Sequence, residues 1–124
     1  MLEKSGQMDG KRILVVEDDP AARDSIKLLL TIDRHIVTEA GSGREALDLV
    51  RREPFDLVLL DYAMPEMQGW EVALNIRRMA PALPILMVTA YLEKLTSPDK
   101  PVNAVLGKPF AVAELRKAIA NLVG

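Results

Sequence analysis

Asp61 follows four consecutive apolar residues, Leu57, Val58, Leu59 and Leu60, and precedes a stretch in which Met64, Pro65 and Gly69 mark a turn. A short apolar run without helical gaps suits a strand buried on both faces of a parallel sheet, with Asp61 at its C-terminal end. Ligands of open α/β sheets bind at that edge, although an Asp that only caps the turn is the alternative at this point. Other runs end in equally suggestive ways. Ile13 to Val16 leads into Glu17, Asp18 and Asp19, Ile85 to Val88 into Thr89, and the weaker Val102 to Leu106 toward Lys108 and Pro109. If these ends meet, the carboxylates repel one another unless a cation joins them. Mg²⁺ fits best, because it takes one or two carboxylates, keeps several waters and accepts phosphate oxygens. Lys108 offers a compact positive charge and Thr89 a hydroxyl donor, both suited to phosphoryl oxygens. A carboxylate can itself be the nucleophile and form an acyl phosphate. Those parts together describe phosphoryl transfer onto Asp61.

Positioning them requires strands alternating with helices. Pro20 suits a first helical turn, and Ala22, Ile26, Leu29 and Leu30 recur at helical spacing, predicting a helix from about Pro20 to Thr31. His35 to Glu39 reads as a less apolar strand. Ser42 and Glu45 have capping-box spacing ahead of a helix that turns Ala46, Leu47 and Val50 inward and ends in Arg51 and Arg52. A third helix runs from after Gly69 through Met79, with Val72, Ile76 and Met79 on one side. The last carries Val112, Leu115, Ile119 and Leu122. Five strands in this alternation imply right-handed βαβ units and a flavodoxin-like, doubly wound α/β domain with a five-stranded parallel sheet of order 2-1-3-4-5.

At 124 residues the chain holds one domain, so any output must pass through its own surfaces. The net charge of −2 offers no large field for nucleic acid or an acidic membrane, and neither is expected as a partner. The absence of cysteine excludes disulfides and thiolate metal sites. No secretory h-region or long apolar run is present, which makes a cytoplasmic location the expectation. Residues 1–10 read as a flexible leader and 11–124 as the domain.

From about Arg12 to Gly124 the chain resembles the receiver domain of two-component response regulators. VVEDD, DYAMPEMQG, VTA and GKPF carry the resemblance, in the family's order and at roughly its spacing. It implies the CheY-like form of the fold. Asp61 would be the phosphoacceptor, supplied by a sensor histidine kinase or a histidine phosphotransfer protein. Asp18 would bind Mg²⁺ directly, Glu17 through water, and the backbone carbonyl of Ala63 would complete the set with Asp61. Asp19 is read mainly as an N-cap. Thr89 and Lys108 would bind phosphoryl oxygens, the Lys108–Pro109 peptide would be cis, and Thr89 would move on phosphorylation. Ala21, Asp24, Ser25 and Phe110 would flank the kinase-docking neighbourhood. The expected function is that of a stand-alone receiver and phosphoprotein, not an enzyme beyond self-catalysed phosphorylation and dephosphorylation, which signals to a downstream protein target.

The sequence also departs from the family pattern. Thr89 and Lys108 are a few residues closer than usual, with Pro98 and Pro101 between them, so a shortened or irregular fourth helix is expected and a standard dimer surface is not. Val105 stands where the family has its switch aromatic. Tyr91 is a candidate gate over the phosphoryl group or a ring packed on the shortened loop. Ala111 replaces the usual polar cap of the last helix, predicting a weakly capped end. His35 reads as a surface residue, and Trp70 and Phe110 as packing or rim residues. Two other functions compete. A passive interaction module would keep the fold without the chemistry. A phosphatase of the haloacid-dehalogenase type usually has a second Asp where Ala63 stands.

Overall fold

A computed structural model describes residues 10–90 and 101–123 of the chain. Along it run β1 (Arg12–Val16), α1 (Pro20–Ile32), β2 (Ile36–Ala40), α2 (Gly43–Arg52), β3 (Leu57–Asp61), α3 (Gly69–Met79), β4 (Ile85–Thr89), β5 (Ala104–Gly107) and α4 (Val112–Val123). All strands are parallel and ordered β2-β1-β3-β4-β5, the flavodoxin-like order expected. Of the expected leader only Gly10 is described. Tyr91 and the expected irregular helix lie outside the described residues.

The alternation of side chains along each strand separates two cores. Leu14, Val16, Val58, Leu60, Ile85 and Met87 pack with Ala46 and Leu49 of α2 and Val72, Ala73 and Ile76 of α3. Ile13, Val15, Leu57, Leu59, Leu86 and Val88 face Ile26 and Leu30 of α1 and Leu115 and Ile119 of α4. Because β1, β3 and β4 are covered on both faces, their runs read as continuous apolar stretches. On the helices, Leu49 and Ala73 are buried in place of some expected residues. Met79 and Val112 are exposed, because each lies at an end of its helix, beyond the sheet's cover.

Local hydrogen bonds correct several expectations. Ser42 caps α2 by accepting from the Glu45 N–H, but Glu45 reaches back to the N–H of Gly41, one residue beyond a capping box. Asp19 occupies the N-cap position of α1 without a side-chain cap bond. Ala111 leaves α4 better capped than expected, because Glu114 Oε1 accepts from the Ala111 N–H at 2.7 Å. His35 is buried, 4% exposed, and not a surface residue. Helix α1 ends with the His35 N–H on the Leu30 carbonyl and the Arg34 N–H on that of Thr31, with Arg34 at φ 69°, a Schellman turn that folds His35 inward. It still sits at the sheet edge opposite Asp61, ahead of β2.

One glycine sets how closely α3 abuts the end of β3. A Cβ at Gly69 would lie 2.3 Å from the Asp61 carbonyl oxygen and 2.8 Å from the Tyr62 Cα, and the Gly69 N–H donates to the Tyr62 carbonyl. These neighbours are backbone and cannot rotate away. Gly69→Ala is expected to cost about 1–3 kcal/mol or more, as overpacking does, read as a lower urea midpoint with little change in slope. An unchanged midpoint would mean the loop can open without loss.

Candidate phosphoryl-accepting site

Parallel pairing in register brings the strand ends to one edge. Val16 pairs with Leu60, Asp61 with Val88 and Thr89 with Gly107, so Glu17, Asp61, Thr89 and Lys108 emerge side by side. Glu17, Asp61 and Thr89 are buried. Lys108 Nζ lies 3.0 Å from Asp61 Oδ1 and 3.3 Å from Glu17 Oε1. Carboxylate oxygens of Glu17, Asp18 and Asp61 all lie within 4.8 Å of one another, with Asp18 the most open of the three. The carboxylates and lysine expected to meet therefore do so.

Surrounding backbone orients them. The second oxygen of Glu17 accepts from the Asp19 N–H at 3.1 Å, so Asp19 serves the site through its main chain and not its side chain. Arg23 Nη1 reaches from α1 to the Glu17 carbonyl at 2.8 Å, fixing the turn that holds the acids. Across the sheet, the Lys108 N–H donates to the Thr89 carbonyl at 2.7 Å, tying the turn after β5 to β4. The Lys108–Pro109 peptide is cis, as expected. Ala63 is exposed in the loop after β3. Val105 is a half-buried packing residue, Trp70 packs on the α2 and α3 side, and Phe110 on the α1 and α4 side. Sequence reasoning missed Arg23, whose reach across the turn is a tertiary fact. Its one local signal is its place a turn into α1.

Burial raises the pKa of Asp61, partly offset by the Lys108 hydrogen bond and charge, while Asp18 raises it further. Glu17 is raised chiefly by burial too, against the Asp19 N–H, with Asp61 adding repulsion. Burial alone would lower Lys108, but its bond to Asp61 and the charges of Asp61 and Glu17 outweigh this and lift it. When ionised, three carboxylates against one ammonium leave a formal charge of −2. Unit charges about 4 Å apart interact by roughly 4 kcal/mol at an effective dielectric near 20. That residual repulsion is large enough to favour a divalent cation. An all-oxygen donor set with one open member suits a hard divalent ion that keeps waters.

A family model described as the response regulator receiver domain matches residues 13–120. The response regulator MprA of Mycolicibacterium vanbaalenii is 42% identical over 107 residues, covering 84% of this chain and 46% of that protein. MprA of Mycobacterium leprae is 38% identical over 115 residues, covering 90% and 50%. The chain thus spans about half the length of these curated relatives. Among solved structures, the response regulator TrrA of Thermotoga maritima, in complex with Mg²⁺ and BeF, superposes with a TM-score of 0.85 at 34% identity, covering 90% of this chain and 98% of that one. The receiver domain of the sensor histidine kinase PA1611 of Pseudomonas aeruginosa, with magnesium coordinated in its active-site cleft, gives 0.83 at 28% identity, covering 93% and 98%. Among the described residues, no helix is long and apolar enough to cross a membrane.

Proposed function

Because the chain belongs to the response regulator receiver family, we propose that it is a phosphorylation switch that accepts a phosphoryl group on Asp61 from a histidine kinase or a histidine phosphotransfer protein. One observation carries this reading. A buried carboxylate at the end of a central strand faces an ammonium 3.0 Å away and shares a cleft with two further carboxylates.

In the proposed reaction a carboxylate oxygen of Asp61 attacks phosphorus, an acyl phosphate bond forms, and the P–N bond to the donor histidine breaks. The electron pair stays on the imidazole, which takes up a proton. Lys108, now on Asp61 Oδ1, would move its contact to a phosphoryl oxygen, and the Thr89 hydroxyl would donate to another. Glu17, Asp18, Asp61 and the carbonyl of Ala63 would hold Mg²⁺, which when bound neutralises charge on the transferred group. Pulling Thr89 toward the phosphoryl group would shift β4 and its following loop, passing the signal to a protein target. The donor would dock on α1 and Phe110, where Ala22, Ser25, Ile26 and Phe110 line an apolar groove beside Glu17 and Lys108. Residues 11–124 would form the domain, acting in the cytoplasm through its own surfaces.

Incubation with Mg²⁺ and acetyl phosphate tests the reading by intact mass. The expected result is a gain of one phosphoryl group per chain, absent with a chelator and removed by hydroxylamine. No gain would leave a passive interaction module. Sustained turnover of phosphate esters would indicate a phosphatase.

A further inference from the structure

Arg77 lies on α3, at the sheet edge far from Asp61, yet its guanidinium is fully engaged. Nε donates to the Pro101 carbonyl at 3.1 Å, and Nη1 to the carbonyls of Pro81 at 2.9 Å and Leu83 at 2.8 Å. Nη2 donates to the Pro101 carbonyl at 2.9 Å and to Asn103 Oδ1 at 2.7 Å. These use all five N–H donors that an arginine has. The same Asn103 oxygen accepts the Ile85 N–H at 2.8 Å, and the Asn103 N–H donates to the Ile85 carbonyl at 2.9 Å. One side chain therefore ties the end of α3, the α3–β4 loop and the starts of β4 and β5 together.

The strand it ties is the shortest in the sheet and lies at its edge. β5 has four residues, pairs only with β4, and contains no fully buried residue, whereas β3 and β4 are buried along their whole length. Its apolar residues Ala104, Val105 and Leu106 are only partly buried against the two cores, so pins at its ends add to its order. The near pin is the Lys108 N–H on Thr89, and the far pin is Arg77. Lys108 hangs from this strand, about 17 Å along the chain from Asn103. Asp61, Glu17 and Asp18 hang from β1 and β3, to which Arg77 donates no hydrogen bond.

We propose that Arg77 is a positioning residue for the phosphoryl-accepting site, strapping the start of β5 to α3 and β4 and so holding Lys108 against Asp61. This rests on the function proposed above. Lysine at 77 would keep the charge but supply three donors from one point, too few to span four acceptors.

The test compares wild type, Arg77→Lys, Asn103→Ala and Ile76→Val, the last a buried change on the same helix. Initial rates of labelling by acetyl phosphate with Mg²⁺, Mg²⁺ affinity by calorimetry, and amide hydrogen exchange are measured on each folded protein. Arg77→Lys is expected to label about ten to a hundred times more slowly, as displaced catalytic groups do. Its Mg²⁺ affinity should hold or rise, since a displaced Lys108 no longer competes for the Asp61 and Glu17 oxygens, and faster exchange should be confined to 103–108. Asn103→Ala should behave alike to a smaller extent, and decides the matter if Arg77→Lys does not fold. Ile76→Val should label at the wild-type rate. Wild-type labelling by a folded Arg77→Lys, or faster exchange spread evenly over the sheet, would overturn the strap. A wild type that takes no label would remove the proposed function instead. The strap would then stand or fall on exchange at the Lys108 amide.

Discussion

Asp61→Asn is expected to take no label from acetyl phosphate, a loss of about a thousandfold or more, while becoming more stable than wild type at neutral pH without metal. The first half follows from removing the carboxylate nearest to Lys108, 3.0 Å away against 3.3 Å for Glu17. The second follows from linkage. Burial raises Asp61 above its ordinary pKa of 3.8 even with Lys108 beside it. The folded protein thus binds that proton more tightly than the unfolded chain does. The stability this confers is present below pH 3.8 and lost as pH rises through the raised value. Glu17 acts in the same direction from its ordinary value of 4.5. Asparagine mimics the protonated shape and carries no charge at any pH, so its advantage should appear at neutral pH and vanish in acid. Saturating Mg²⁺ should reverse the order, because a ligand at 100 times its dissociation constant adds about 2.7 kcal/mol to the protein that binds it. Thermal melts at pH 3.5 and 7, with and without Mg²⁺, check all of this, as does intact mass. Full labelling of the variant, or the same melting difference at both pH values, would sink the assignment.

Lys108→Met should slow labelling by about 100- to 1000-fold, the usual cost of losing one donor aimed at developing charge. Its Mg²⁺ affinity should rise. The ammonium now occupies Asp61 Oδ1 and Glu17 Oε1, two oxygens that a metal could use, so in the metal-free protein it competes with the ion it would later assist. The two effects separate its electrostatic role in transfer from any role in building the site. Without metal, the variant should also lose stability faster than wild type as pH rises from acid, because two buried carboxylates then face each other with no cation between them. Calorimetry with Mg²⁺ and initial labelling rates are the measurements. Slower labelling together with weaker Mg²⁺ binding would mean that Lys108 shapes the cleft and does not act on the phosphoryl group.

Much of this centre is legible in the order of residues. The apolar runs before Glu17, Asp61 and Thr89 name three strand ends, and parallel order follows from their alternation with helices. Buried parallel strands announce themselves because both faces must be apolar, and the polar residue after such a run has to leave the core at the ligand-binding edge. Less is legible at the margins. The burial of His35 depends on a left-handed Arg34 that closes the turn after α1, which composition does not reveal. The cap of α4 comes from Glu114, where attention to Ala111 alone predicted a weakly capped end.

By itself, then, the sequence determined where the central strands end, which charged groups follow them and a parallel α/β class of fold, since burial on both faces marks such strands as unbroken apolar runs. Tertiary structure alone decided which side chains touch. That Asp19 serves Glu17 through its amide and that Arg23 reaches back to the same turn depend on how that turn closes, and that Arg77 and not Arg78 gathers the start of β5 is long-range geometry. A guanidinium's partners are set by where distant backbone carbonyls come to rest, and no spacing along the chain encodes that.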